Sequence, residues 1–173
     1  MSLNEDVMRI NARLRNLGNN TMPKATAKAI NKVASKISST AMKAVAKDVG
    51  VPLKTIKGRL KKINATAKKP KASLKILRSQ MPAIRLLEKK SNRIWVGRGG
   101  IVIGKYAIQR GFKQRLKNGR IHILQRKGRA RYPIDVVKIP IGNQITQQFN
   151  KATHNYPKEV KEALLKELMT TLR

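Results

Sequence analysis

Apolar residues recur along the first third of the chain at helical spacing. Leu3, Val7, Ile10, Leu14 and Leu17 fall at steps of four, three, four and three, a narrow stripe ended by Gly18. This predicts a helix over 3–17, with Ser2 and Glu5 placed as a capping box and Asn19-Asn20 as a loop. A second, longer helix is predicted over 22–48, opened by Thr21 and Pro23 and stopped by Gly50. Ile30, Val33, Ile37, Ala41 and Val45 mark its buried face, while Lys28, Lys32, Lys36, Lys43 and Lys47 spread over the rest. Ile56 and Leu60, four apart after Pro52, predict a short helix over 52–59.

From about residue 63 the period shortens to two. Ala72, Leu74 and Ile76 alternate with Lys71, Ser73 and Lys75, and strands are further predicted at 82–87, 94–96 and 101–103. Ile121 and Ile123, then Ile134, Val136 and Ile139, bracket a block in which Arg126, Lys127, Arg129 and Arg131 surround Gly128. That pattern predicts an extended β-hairpin with a basic tip, entered through the Asn118-Gly119 turn. Ile141, Ile145 and Phe149, then Val160, Leu164, Leu168 and Leu172 beyond Pro157, predict one or two closing helices. In the last of these Glu159 and Glu162 lie in the first turn and Arg173 at the end, as the helix dipole prefers.

The expected fold class is therefore α+β. N-terminal helices, one of them long, pack with a central, mostly antiparallel sheet bearing the basic hairpin, and a helix or helix pair closes the chain. A single domain over 1–173 is expected, with a helical part over 1–60, a β-rich basic part over 61–140 and a helical part over 141–173.

Charge changes what such a fold is for. The chain carries 40 lysines and arginines against 8 acids, a formal net charge of +32. Between residues 49 and 134 there are 25 of these cations and one acid, Glu88. A chain that repels itself this strongly points to a polyanion or an acidic protein surface as its partner. The absence of cysteine excludes disulfides and cysteine-based metal sites, and no apolar run approaches the ~18 residues of a membrane span, so a soluble, cytosolic product is expected.

Candidate chemistry is sparse. Gly99 to Lys105 matches most of a phosphate-cradling loop, but Tyr106 stands where a magnesium-binding Ser or Thr belongs, and Ile101-Val102-Ile103 favours a strand. His122 and His154 lie at metal-ligand spacing from neither a second histidine nor a carboxylate. As a general base His122 would need an orienting acid, and Asp135 is the nearest across the hairpin. No paired carboxylates, nucleophile elbow or cofactor fingerprint is present, so no catalytic, metal or cofactor site and no small-molecule substrate are expected. Six aromatic residues give no stacking platform for single-stranded nucleic acid, so any contact with DNA is with phosphates, without sequence readout.

The run from Ala29 to Lys36, the stretch from Val45 to Pro52 and the Ile56 to Arg59 turn resemble the N-terminal half of the minor tail protein Z family of tailed phages and prophages. Gly119, Arg120 and His122, then Arg126-Lys127-Gly128 with Arg131, Pro133 and Ile134, then Val137 to Pro140, resemble its C-terminal signature in the same order. The resemblance implies a non-catalytic tail completion protein in the virion tail or neck, made in the host cytoplasm. It would act as a homo-oligomeric, hexameric ring that supports head–tail joining beside tube, terminator or connector subunits. Arg120, His122, Arg126, Lys127, Arg129 and Arg131 are the candidate residues facing DNA or a neighbouring subunit. The alternative is a free-standing, sequence-nonspecific DNA- or RNA-binding protein; a nuclease or toxin using His122 is a third reading.

Overall fold

The structure is a computed structural model describing the backbone of residues 3–172 and the side chains of 7–12 and 14–170. The predicted capping box at Ser2 and Glu5 and the terminal Arg173 lie outside the described residues. Helix α1 spans Leu3–Asn16, α2 Met22–Val49 and α3 Leu53–Lys57. The expected loop after Leu17 is instead a π-helical turn, Leu17–Thr21, that carries α1 directly into α2. Gly18 keeps a negative φ there, and Asn20 Nδ2 donates to Asn16 Oδ1 at 2.9 Å, so these asparagines bond along the helix and do not break it.

Among the described residues ten short strands follow: β1 Leu60–Ile63, β2 Ser73–Ile76, β3 Met81–Pro82, β4 Ile94–Gly97, β5 Gly100–Ile103, β6 Tyr106–Gln109, β7 Gly111–Arg115, β8 Ile121–Arg126, β9 Ile134–Val136 and β10 Lys138–Ile139. Helices α4, Gly142–Thr153, and α5, Tyr156–Leu172, close the chain. The α+β class holds, with the strands divided among four small sheets: β1-β2, β10-β3, β4-β5-β6 and β7-β8-β9. The expected strand over 82–87 is a correction: Ala83–Glu88 is a 3-10 helix. Ala83 and Leu86 are both buried, and a spacing of three puts them on one side of a helical turn but on opposite faces of a strand.

Two compact units emerge. The first comprises Met1–Thr40, Lys61–Lys75 and Phe149–Arg173. Its core gathers Ala27, Ile30 and Ala65, with Ala72 and Val160 packed against them. Asn31 ties the segment after β1 to α2 in both directions, donating to Ala65 O at 2.9 Å and accepting from its N–H at 2.7 Å. Lys36 and Lys32 of α2 meet Glu159 and Glu167 of α5 at 3.0 and 3.6 Å.

The second unit comprises Ala41–Leu60 and Ile76–Gln148. Met42, Val45, Val49, Ile56, Leu86, Ile101, Ile103, Ile123 and Ile145 are among its fully buried side chains. Asn92 Nδ2 donates to both Gly50 O and Leu86 O at 2.8 Å, satisfying two carbonyls that close the α2 end and the 3-10 turn. Gly100 has φ 145, and a Cβ there would lie 2.2 Å from Ile108 O, so only glycine lets β5 approach β6 at this corner.

Candidate functional site: the cationic sheet

The sheet β7-β8-β9 carries the candidate residues. Alternation sorts its side chains cleanly: Phe112, His122, Leu124, Arg126 and Val136 share one face, while Lys113, Arg115, Ile123 and Asp135 share the other. Leu124 and Ile123, one from each face, are both buried, so the middle of β8 anchors the sheet while its ends carry charge. Between residues 111 and 136 eight lysines and arginines stand against Asp135 alone.

The candidates do not form one cluster. Arg120 lies in the turn before β8, where its N–H donates to Asn118 Oδ1 at 3.1 Å and its carbonyl accepts from Leu116 N–H at 2.8 Å. Arg126, Lys127, Arg129 and Arg131 lie at the other end of the strand, roughly 17–20 Å away for six extended residues. Residues 127–133 join β8 to β9, and Arg129 and Arg131 are exposed there. Arg126 is half-buried, its guanidinium 5.5 Å from the Phe112 ring centre, and Arg131 sits 5.9 Å from that of Tyr132. Lys127 Nζ meets Asp135 Oδ2 at 2.8 Å, and its N–H donates to Pro133 O at 3.3 Å. The ring faces hold the guanidinium groups by their planes, which leaves the N–H donors at their edges uncovered by those contacts.

His122 sits mid-strand opposite Gln114, half-buried, with Nδ1 buried and without a hydrogen-bond partner. Asp135 pairs across the strands with Gln125 and is engaged by Lys127, so the expected neighbour of His122 faces elsewhere. Among the described residues no group of three histidines, cysteines or carboxylates is placed to hold a metal ion, and no helix is long and apolar enough to cross a membrane. The Gly99–Lys105 stretch is strand β5 with its turns, and Lys105 Nζ is drawn to Asp48, donating to its backbone carbonyl at 2.5 Å and lying 3.6 Å from Oδ1. Tyr106 beside it has its hydroxyl pKa raised, first by burial and then by the Asp48 charge.

One residue was not legible as part of this site. Arg110 turns the chain from β6 into β7 with φ 52, a left-handed conformation that is uncommon outside glycine. Its guanidinium donates to Lys127 O at 3.5 Å, and its carbonyl accepts from Arg126 N–H at 3.4 Å. With Gln109, Gln125, Arg126, Lys127 and Asp135 it lines a cleft of about 300 Å³. The only sequence signal is Gly111, where a Cβ would press 2.6 Å from Ile108 Cγ2; the tight corner this allows places Arg110 beside the tip.

By its architecture the chain falls in the broad class of small α+β proteins, here with a guanidinium-rich sheet in which Asp135 is turned to Lys127 and away from His122. The comparisons narrow that class. The family model for prophage minor tail protein Z matches residues 9–173, and the chain belongs to that family. It is 36% identical over 182 aligned residues to the tail completion protein Z of Escherichia phage lambda, covering 92% of this chain and 93% of that protein. It is 35% identical over 144 residues to the tail completion protein of Escherichia phage N15, covering 80% of this chain and 78% of that one. No solved structure matches the chain.

Proposed function

We propose that this chain is a structural, non-catalytic tail completion protein of a phage or prophage. It works in the virion as a homo-oligomeric ring of six at the tail end or neck, where it supports head–tail joining. The observation that carries the reading is the family match across almost the whole chain, together with relatives named for tail completion. The charge supports it from an independent direction. A ring around an axis that DNA must pass, or against acidic tube, terminator or connector subunits, supplies the counter-charge that the isolated chain lacks. Arg126, Lys127, Arg129 and Arg131, joined by Arg110, form the surface that meets phosphates or carboxylates. Arg120 makes a separate contact from the other end of β8, and His122 serves the sheet between them.

Immunogold or cryo-electron microscopy of purified particles tests this directly, with label or density expected at the tail end. Absence from particles, with co-purification on nucleoid or ribosomes, would instead support the free-standing nucleic-acid-binding reading, which the net charge of +32 also favours.

A further inference from the structure

The sheet β4-β5-β6 has two unlike faces. Ile94, Val96, Ile101, Ile103 and Ile108 are on one, where Ile101, Ile103 and Ile108 are buried and Val96, on the outer strand, is exposed. The cross-strand partners Trp95, Val102 and Ala107 are on the other, together with Gly97, Gly100 and Gln109. Trp95, the chain's only tryptophan, is 68% exposed, and Val102 is 40% exposed. With the side-chain-free Gly97, Gly99 and Gly100 beside them, they form a shallow trough of about 360 Å³ lined by apolar residues and glycine except for Gln109. Its glycine floor is enforced at position 100, where no Cβ fits.

Charge says what covers this face. From residue 93 to 110 the charged residues are Arg93, Arg98, Lys105 and Arg110, with no acid among them. Two copies meeting through this face would bring the same cations together, and a neighbouring copy offering another face would still bring a net charge of +32, with five of the six carboxylates among its described side chains held in ion pairs of its own. A phosphate backbone would suit the arginine rim but gains nothing from covering Val102 and Ala107. An exposed tryptophan on a small-residue floor, in a strand flanked by the exposed Arg93 and Arg98, has the composition of an interface centre between proteins.

We infer that the Trp95–Val102–Ala107 face docks an acidic protein subunit of the tail, one that seats an apolar side chain in the trough and surrounds it with carboxylates facing Arg93 and Arg98. This rests on the tail assignment above and adds to it a second docking surface, distinct from the β7-β8-β9 tip.

The test uses the full chain in purified particles. The photo-crosslinker p-benzoylphenylalanine replaces Ala107, an exposed position on the same face as Trp95 and outside the cleft of the basic tip. A second variant, Val102→Asp, places a carboxylate in the trough at a half-exposed site of the central strand, and its melting curve, expected to stay cooperative, separates loss of docking from loss of folding. Irradiation should join the Ala107 variant to an acidic tail protein, and Val102→Asp should enter tails roughly thirtyfold less well, the loss expected of an interface hot spot. A cross-link to a second copy of this chain or to DNA, no cross-link, or normal incorporation of Val102→Asp would overturn the inference. If the unsubstituted chain itself is missing from the particles, it is the tail assignment that fails.

Discussion

Helices α1 and α2 carry the same kind of pattern and meet opposite fates. Ile30, Val33, Ile37 and Val45 of α2 are each at most 7% exposed, whereas Val7, Ile10 and Leu14 of α1 are 49–59% exposed. Periodicity specifies a helix and a face; a neighbour decides whether that face is buried. Ala25, Ala27, Ala29, Ala34, Ala41 and Ala46 of α2 are buried as well, which widens its packed face beyond the predicted stripe and admits close neighbours. The side chains of α1 described here include one alanine, Ala12, and it is exposed. The charges divide in the same way. Lys32 and Lys36 meet acids on α5, while Arg129 and Arg131 project from their loop.

The widest separation between the two helices comes from placing a charge on each stripe. Ile37→Asp buries an unpaired carboxylate and should cost more than about 4 kcal/mol, enough to abolish cooperative melting of a domain of ordinary stability. Ile10→Asp, on a face already in water, should stay within about 0.5 kcal/mol of the unsubstituted protein. Equal losses in a thermal or denaturant melt would mean that α1 is packed in solution. Gly100→Ala should fall next, costing about 3 kcal/mol, because the added methyl meets Ile108 O and φ 145 is foreign to alanine. A wild-type melting curve for this variant would show that the β5–β6 corner relaxes.

The charge contrast is tested by salt. Replacing Arg126, Arg129 and Arg131 together with glutamine should cost about 1 kcal/mol at most, the ring contact of Arg126, since the other two are exposed. If all three meet phosphates, the slope of log affinity against log salt for duplex DNA should fall by about 2.7. An unchanged slope would direct these residues to protein carboxylates.

Much of this architecture is legible in the sequence where one local rule acts alone. The bounds of α2 follow from Pro23 and Gly50, and those of β8 from the alternation at Ile121 and Ile123. Prediction failed where two rules compete. Gly18 with Asn19 and Asn20 reads as a break, yet the Asn20 side chain bonds back to Asn16 along the helix; Ala83 and Leu86 lie in an apolar run that suits a strand, yet a three-residue turn buries both. Of the site, the residues of the basic tip were readable as a charge block. Their separation from Arg120 was not, because only the length of β8 sets it. Arg110 was hidden because its place depends on a left-handed turn and on strand partners distant in sequence. Nor did alternation reveal which face of β4-β5-β6 stays open, since both faces are apolar.

The smallest effect concerns Glu88, the lone acid of the cationic stretch. Burial pushes its pKa up, but hydrogen bonds from Thr55 Oγ1, at 2.5 Å, and from Arg85, with the charges of Arg85 and Lys54, pull it below the ordinary value. A carboxylate held below its unfolded pKa stabilises the fold above the ordinary glutamate range, near 4.3, and that contribution is lost as pH falls through it. Arg59 stands nearby, its own pKa lowered first by burial and then by Arg85, with its guanidinium spent on Ser79 O at 2.7 Å and on neighbouring carbonyls. It is therefore bound to backbone and does not replace Arg85 as the partner of Glu88. Glu88→Gln keeps the shape and removes the charge, so it should lower stability by less than about 1 kcal/mol at pH 7 and by almost nothing at pH 3. Melting midpoints of both proteins at the two pH values read this difference. Parallel curves would mean that Glu88 is as solvated as the charges of the tip, and that this stretch neutralises none of its cations from within.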